Sequence, residues 1–271
     1  MNMLIAVAVL EMMNVAHRGL WKEANLPQNT VESIKAAYDA GARVVETDFV
    51  LTDAGEIISL HDCNAFASMF AVAKEPRQIT PEDRAKIDLG AKAGLPRPYR
   101  IPLLEEVMAV VPKDRVLQSE IKVYGPDYAR RFDAAVKAAG LVETNIIVSA
   151  FDNKALADFH RQYPRYVTLW LGCGVGRTVN VEKILAKAKA GGFTIVCPGC
   201  AQAQKAGMTR ADADRIRAAG FDFRLFGVNN PTSLVYAASL GASGFTCDTF
   251  KEAYAWAAKI PGVVLLPAPR P

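Results

Sequence analysis

The sequence predicts an α/β fold, a single closed (β/α)₈ TIM barrel. Short runs rich in β-branched residues alternate with amphipathic helical stretches along the 271 residues. Eight parallel strands with intervening helices close into such a barrel. The predicted strands are centred on Val15, Val44, Val116, Ile146, Val167, Ile195, Phe223 and Phe245. The reactive-looking side chains lie at or just after strand ends, where barrel enzymes place their active sites.

Composition fits one large domain over residues 1–271. Hydrophobic residues make up 51% of the chain and charged residues 22%, which supports one core and argues against disorder. A net charge of +4 is too small to indicate the basic surface typical of nucleic-acid-binding proteins. Five cysteines, an odd number, predict a reduced compartment rather than a disulfide framework. The sequence carries no signal for the oligomeric state.

The first apolar segment, Met3 to Met13, is interpreted as an element that closes the barrel. It has no basic stretch or small-residue cleavage site, and Glu11 interrupts it, so it does not read as a secretory leader. It is also too short to span a bilayer. We therefore expect a cytoplasmic protein without an integral membrane segment.

A helix is expected after the loop of residues 20–27. Asn29 is predicted to cap its N-terminus, with Glu32 three positions later, and Gly41 to end it. The strand of residues 43–51 follows.

Two acids on that strand indicate a metal site. Alternation sends Glu46 and Asp48 to one face, about 7 Å apart, where two unit charges repel by about 2 kcal/mol at an effective dielectric near 20. A cation between them would remove that cost, and oxygen ligands favour Mg²⁺ or Ca²⁺. Glu120 and Lys122 share a face near the end of the next strand, so both can reach the same centre. An ordinary ion pair on a solvated strand is the alternative for these two residues.

A hairpin and an insertion follow the second strand. Residues 53–55 are predicted to form a turn, and residues 56–60 a returning arm that ends at His61. Residues 63–101 break the strand–helix alternation and are interpreted as a small insertion over the mouth of the site, with one helix capped by Thr80. Its many Lys and Arg residues predict either steering of an anionic substrate or a solvated surface.

Beyond the insertion the chain alternates strands and helices. Helices are expected to begin at or just after Pro102, Pro126, Asp152, Asn180, Thr209 and Pro231. Cys197 and Cys200 form a C-x-x-C motif, which redox and zinc sites use. Since no second pair stands at zinc spacing, we interpret both as structural thiols. His160, within a predicted helix, is interpreted as structural too.

A series of short motifs is ordered along the first half of the chain. These are His17-Arg18-Gly19, Pro27-Gln28-Asn29-Thr30, Glu46-Thr47-Asp48, Thr52-Asp53-Ala54-Gly55, His61-Asp62, Ile101-Pro102-Leu103-Leu104-Glu105-Glu106 and Glu120-Ile121-Lys122. Their order and spacing resemble the glycerophosphodiester phosphodiesterase family.

The resemblance implies metal-dependent hydrolysis of a small-molecule glycerophosphodiester to glycerol 3-phosphate and an alcohol. A substrate hydroxyl beside the phosphate would attack first, and water would then open the cyclic phosphate. The residues implied are Glu46, Asp48 and Glu120 as ligands of one divalent cation, His17 and His61 for proton transfer, and Arg18 and Lys122 on the phosphate. The predicted substrate contacts are Asn29 and a wall that selects the alcohol, made of Phe151, Trp170 and Phe226.

Three stretches depart from the family pattern. Gln28 stands where the family usually has Glu, Phe226-Gly227-Val228-Asn229 replaces a tryptophan-containing strand, and Thr246-Cys247-Asp248-Thr249 replaces a late Thr-Asp-x-Pro. We expect none of them to touch the metal or proton-transfer residues, and we expect the wall that selects the alcohol to be remodelled.

Two alternative functions are compatible with these residues. One is a related barrel enzyme of the lysophospholipase D or sphingomyelinase D type, which acts on choline lipids and needs a wide apolar mouth. The other is a non-catalytic barrel that binds phosphoesters, for which binding without turnover would be diagnostic.

Overall fold

A computed structural model of the chain describes residues 9–266. Its strands are β1 (Leu10–Ala16), β2 (Val44–Leu51), β3 (Ile57–Ser59), β4 (Val116–Val123), β5 (Ile146–Ala150), β6 (Val167–Leu171), β7 (Ile195–Cys197), β8 (Asp222–Leu225), β9 (Gly244–Cys247) and β10 (Val263–Leu266). Eight of them form a closed parallel ring in the order β1-β2-β4-β5-β6-β7-β8-β9. The eight predicted strands and the barrel are confirmed.

The two remaining strands lie outside the ring. β3 pairs antiparallel with β2, which confirms the predicted hairpin, and β10 pairs parallel with the first half of β1. Of the apolar segment predicted to close the barrel, residues 10–13 belong to β1, whereas residues 3–8 lie outside the described part of the chain.

Helices connect the strands and surround the ring. They are α1 (Trp21–Ala24), α2 (Val31–Asp39), α3 (Pro81–Lys86), α4 (Leu104–Ala109), α5 (Tyr128–Ala138), α6 (Asn153–Gln162), α7 (Val181–Gly191), α8 (Cys200–Lys205), α9 (Arg210–Ala218), α10 (Pro231–Ser239) and α11 (Phe250–Ala257). Between residues 9 and 266, none has the length and apolar character that a membrane crossing requires.

Side-chain caps explain most helix starts. Asp152, Asn180 and Thr209 each accept hydrogen bonds from backbone N–H groups of the first turn, as predicted. The prediction for α2 is wrong by one residue, because Thr30 caps the helix in a reciprocal box with Ser33. Asn29 instead adopts a left-handed conformation, with φ of 60°, and its side chain points elsewhere.

Alternation along the strands divides the core into two layers. Outward-facing side chains such as Val45 and Phe49 pack with the helices in the main core. Inward-facing Ile147, Leu169 and Ile195 fill part of the ring. Polar and charged side chains extend inward from the carboxyl ends of the strands. They therefore lie above the apolar side chains that fill the interior of the ring.

The insertion has a small core of its own against the hairpin. Phe66, Ile79, Ile87 and Ile101 are buried there with Ile58 of β3. Four basic side chains around it form ion pairs, namely Lys74 with Asp83, Arg77 with Asp53, Arg84 with Glu56, and Arg97 with Glu32. Much of the positive charge of this segment therefore has a structural partner.

Candidate active site

The turn after β1 places two candidate site residues at the carboxyl end of the ring. His17 follows the strand directly, and Arg18 and Gly19 both have positive φ values, 57° and 84°. A Cβ atom added at Gly19 would lie 2.4 Å from the carbonyl carbon of Ser33. Only glycine fits this turn without displacing α2, so the tight approach fixes the positions of His17 and Arg18.

Three buried carboxylates meet at the centre of this end. Glu46 and Asp48 come from β2 and Glu120 from the adjacent β4, and an oxygen of each lies within 4.8 Å of the others. The residues are 2%, 0% and 7% exposed. Glu46 Oε1 and Asp48 Oδ1 have no hydrogen-bond partner. Strand alternation and the register that pairs Asp48 with Glu120 bring them together.

Burial and mutual repulsion shift the titration of this cluster. Burial, followed by the charges of Asp48 and Glu120, raises the pKa of Glu46 well above its ordinary value. Burial and the charge of Asp48 raise the pKa of Glu120 to about 7. Without a compensating cation, the cluster therefore holds protons that exposed carboxyl groups would lose.

Arg18 and Lys122 supply positive charge at the edge of the cluster. Arg18 Nε lies 3.2 Å from Asp48 Oδ2, and Lys122 Nζ lies 2.9 Å from Glu120 Oε1. The ladder between β2 and β4 shifts register after Ile121, so Lys122 is the extra residue of a bulge, a device that re-aims side chains near active sites. Burial alone would lower the pKa of Lys122, but the charges of Glu120 and Asp48 raise it, so this side chain stays an ammonium.

Each candidate catalytic histidine is paired with an aspartate through Nδ1. His17 Nδ1 lies 2.5 Å from Asp248 Oδ1, and His61 Nδ1 lies 2.8 Å from Asp62 Oδ2. Burial alone would raise the pKa of each aspartate, but the hydrogen bond from its histidine lowers it below the ordinary value. Each carboxylate thus accepts the Nδ1 hydrogen, and Nε2 is the nitrogen left for proton exchange.

The three stretches that depart from the family pattern were expected not to touch the metal or proton-transfer residues, and this expectation is wrong. Asp248, in the altered final motif, is the partner of His17, and Asn229, in the altered strand, donates from Nδ2 to Asp248 Oδ2 at 2.8 Å. Gln28 accepts a hydrogen bond from Arg18 Nη1 at 2.8 Å. The contact of Asp248 with His17 joins residues 231 positions apart, and a contact between such distant segments has no signature in local sequence spacing.

Asn29 contacts the acidic cluster through hydrogen bonds with Asp48. It donates from Nδ2 to Asp48 Oδ2 at 2.8 Å, and its Oδ1 accepts from Thr47 Oγ1 and from the Asp48 backbone. The residue is 1% exposed. The structure therefore gives it a role in orienting Asp48, whereas contact with substrate stays a prediction.

Two of the three aromatic side chains predicted for the substrate wall lie together. Phe151, 49% exposed, and Phe226 pack edge to face with ring centroids 5.3 Å apart. Trp170 lies elsewhere, on the outer side of β6, with its ring 5.7 Å from that of Phe193. Alternation turns the next residue, Leu171, inward in its place.

These groups enclose one cavity, which we call the inner cavity. It measures about 260 Å³ and is lined by His17, Arg18, Glu46, His61, Gln118, Glu120, Lys122, Phe151, Leu171, Phe226 and Thr246. Acidic, cationic and imidazole groups therefore face the same space, next to an aromatic edge.

The other chemistry-bearing residues lie apart from this cavity. Cys197 and Cys200 are free and buried; Cys197 faces the interior of the ring and Cys200 the helical layer. Burial raises the pKa of the Cys200 thiol to about 11, so it is poorly reactive. His160 lies on α6 beside Gly192.

The carboxylate cluster fits a divalent cation. Two oxygens on one Mg²⁺ or Ca²⁺ are at most roughly 4–5 Å apart, which matches the spread of the three side chains. The two carboxylate oxygens without hydrogen-bond partners and the raised pKa values of Glu46 and Glu120 are features that a bound cation would relieve. All the donors are oxygens, as hard cations prefer.

Comparisons with known proteins found one family model and several relatives that match this chain. The model of the glycerophosphoryl diester phosphodiesterase family matches residues 17–252. A glycerophosphodiester phosphodiesterase of Caldanaerobacter subterraneus is 31% identical over 167 residues, which cover 59% of this chain and 67% of that protein.

Solved structures share the fold. A glycerophosphodiester phosphodiesterase from Parabacteroides distasonis superposes with a TM-score of 0.73 at 21% identity, covering 90% of this chain and 95% of that one. A phosphodiesterase from Oleispira antarctica, in complex with the product sn-glycerol-3-phosphate, superposes with a TM-score of 0.74 at 17% identity, covering 90% and 96%.

Proposed function

Because this chain belongs to the glycerophosphoryl diester phosphodiesterase family, we propose that it hydrolyses a glycerophosphodiester to glycerol 3-phosphate and an alcohol. The observation that carries this proposal is that two histidines, each paired with an aspartate, line the same inner cavity as two members of the cluster of three carboxylates. A phosphodiesterase needs charge compensation for the phosphate, a base for the attacking hydroxyl and an acid for the departing alcohol.

Glu46, Asp48 and Glu120 would hold one divalent cation. When bound, it would offset the negative charge that builds up on the phosphate oxygens. Arg18 and Lys122, whose cationic groups border the cluster, bind the other phosphate oxygens. Arg18 is suited to a two-point contact, because its guanidinium donates from a planar fork.

The two imidazoles divide the proton transfers. One accepts the proton of the attacking hydroxyl through Nε2, while the other donates a proton to the oxygen of the departing alcohol as its bond to phosphorus breaks. Asp248 and Asp62 keep the hydrogen on Nδ1 in both rings and stabilise the imidazolium form. Attack by a neighbouring glycerol hydroxyl gives a cyclic phosphate, and water then opens it with the roles of the two rings exchanged.

Turnover of defined diesters tests the proposal. Glycerophosphocholine, glycerophosphoethanolamine and a lysolipid are incubated with the purified chain, with and without chelator. Hydrolysis that stops with chelator and returns with Mg²⁺ or Ca²⁺ is expected, and His17→Ala should lower kcat by about 10²- to 10⁴-fold. His160→Ala is the matched control, since this histidine lies outside the inner cavity.

Three results would contradict the proposal in different places. Activity that is indifferent to chelator would remove the cation from the mechanism. Full activity in His17→Ala would remove the two-histidine scheme. Binding of diesters without any turnover would favour the non-catalytic barrel.

A further inference from the structure

A second cavity lies beside the inner one and is larger. This outer cavity measures about 360 Å³. Its wall is formed by the loop after β1, the end of the hairpin arm and the insertion, with Trp21, Leu26, Leu60, Phe66, Leu89 and Leu95 as its main apolar side chains. Cavities of this size and character bind small apolar ligands or parts of ligands.

His61 connects the two cavities. Among the described residues, it is the one that lines both cavities. A phosphate held by Arg18 and Lys122 would present an ester oxygen to His61. The substituent on that oxygen would then continue past the imidazole into the outer cavity.

The chemistry of the two walls differs. Arg18 and Lys122 line the inner cavity but not the outer one, so the phosphate is assigned to the inner cavity. The charged side chains of the outer wall, besides His61, are Lys22 and Asp62. Their charges are opposite, and the Asp62 carboxylate already accepts hydrogen bonds from His61 and from the Asn64 backbone. An uncharged chain suits this wall better than a cation does.

On the basis of the function proposed above, we propose that the outer cavity binds an apolar chain carried by one alcohol of the diester. The preferred substrates then carry an alkyl or acyl chain next to the phosphodiester, rather than a small polar head group. Leu95 is a specificity-determining residue in this arrangement, because it contributes aliphatic surface from the insertion at a half-buried position.

Binding of alkyl phosphates tests the cavity without requiring turnover. Ethyl, butyl and hexyl phosphate are titrated into the full chain with Mg²⁺ by calorimetry. Affinity should rise by up to roughly fourfold for each methylene removed from water, and by at least about tenfold from ethyl to hexyl. Leu95→Asp should reduce that increment to about threefold or less.

Val72→Asp is the matched control. It places the same charge on the same insertion, at a side chain that is 71% exposed and outside the outer cavity, so it should keep the full increment. Equal affinity for all three phosphates in the wild type, or equal effects of the two substitutions, would overturn the proposal.

Hydrolysis experiments show which alcohol of the diester carries the apolar substituent that enters the outer cavity. Glycerophosphohexanol carries it on the departing alcohol, and hexanoyl-glycerophosphocholine carries it on the glycerol; the better substrate shows which one enters. The choline diester and its uncharged 3,3-dimethylbutyl isostere have the same shape, and the isostere should have the higher kcat/KM. Preference for choline would overturn the proposal and indicate a cation site. Chain-dependent binding without hydrolysis of any diester would refute the proposed function but support the cavity assignment.

Discussion

His17 Nδ1 and Asp248 Oδ1 lie 2.5 Å apart, across the boundary between β1 and β9. Asn229 holds the same aspartate from a third segment, accepting from its backbone N–H at 2.9 Å and donating to Oδ2 at 2.8 Å. The orientation of His17 therefore depends on Asp248 and Asn229, neither of which lines the inner cavity.

Asp248→Asn should damage turnover more than substrate binding. The amide can present its N–H to Nδ1 and favour the wrong tautomer, so we expect kcat to fall by about 10²-fold or more with a smaller change in KM. Steady-state kinetics on a glycerophosphodiester measure both values. Asp39→Asn, on the exposed surface of α2, serves as the control and should leave both unchanged. A loss confined to KM would contradict a role in proton transfer.

The leaving group should separate the roles of the two histidines. An alcohol such as p-nitrophenol departs as a stable anion and needs no general acid. Of His17→Ala and His61→Ala, the variant that lacks the acid of the first step should therefore release p-nitrophenol from glycerophospho-p-nitrophenol in a single turnover at close to the wild-type rate, whereas the other should stay impaired. Equal impairment of both variants on both diesters would argue against divided acid and base roles.

The metal-free chain should lose stability as the pH rises from about 5 to 7. The pKa of Glu120 is raised from 4.5 to about 7 in the folded chain, so in this window the folded state binds a proton that the unfolded state has released. Under proton linkage, the free energy of unfolding then decreases with increasing pH. Denaturant unfolding with chelator at several pH values measures the slope.

Glu120→Gln provides the comparison for that slope. Removing the ionisable group should make the free energy of unfolding less dependent on pH between 5 and 7 than in the wild type. Added Mg²⁺ or Ca²⁺ should stabilise the wild type more at pH 7 than at pH 5, because the cation competes with protons for the carboxylates. A cation effect that is larger at pH 5 would contradict the proposed ligands.

Two glycine substitutions should separate backbone strain from steric conflict. Gly19 and Gly55 have similar φ values, +84° and +87°, but an added Cβ atom meets the Ser33 backbone at 2.4 Å in one case and nothing within 4 Å in the other. Gly55→Ala should lower the free energy of unfolding by about 1–2 kcal/mol. Gly19→Ala should lower it by at least about 1 kcal/mol more and should also reduce turnover. Equal losses would show that Ser33 can move.

Local patterns were sufficient for the strands and for the acidic cluster. The period of two along a strand placed Glu46 and Asp48 on one face, and the parallel arrangement brought Glu120 beside them. Both inferences depend only on the regular geometry of β-strands, which can be predicted from a segment of a few residues. The hairpin after β2 followed in the same way from the turn at residues 53–55.

The contacts around that cluster could not be obtained in this way. Asp248 and Asn229 reach His17 through ring closure, a tertiary event without a local signature. Trp170 was predicted to belong to the wall, but the direction of its side chain depends on register, and a shift of one residue reverses the face. The bulge at Lys122 is likewise a property of the paired strands rather than of one segment.

The two aspartates differ in how far they lie along the chain from their histidines. Asp62 directly follows His61, whereas Asp248 lies 231 positions after His17. During synthesis, both residues of the first pair emerge together, whereas Asp248 emerges only after the strands β1 to β9 have been made. A polypeptide that ends before β9 therefore lacks the aspartate that pairs with His17, although it still contains both His61 and Asp62.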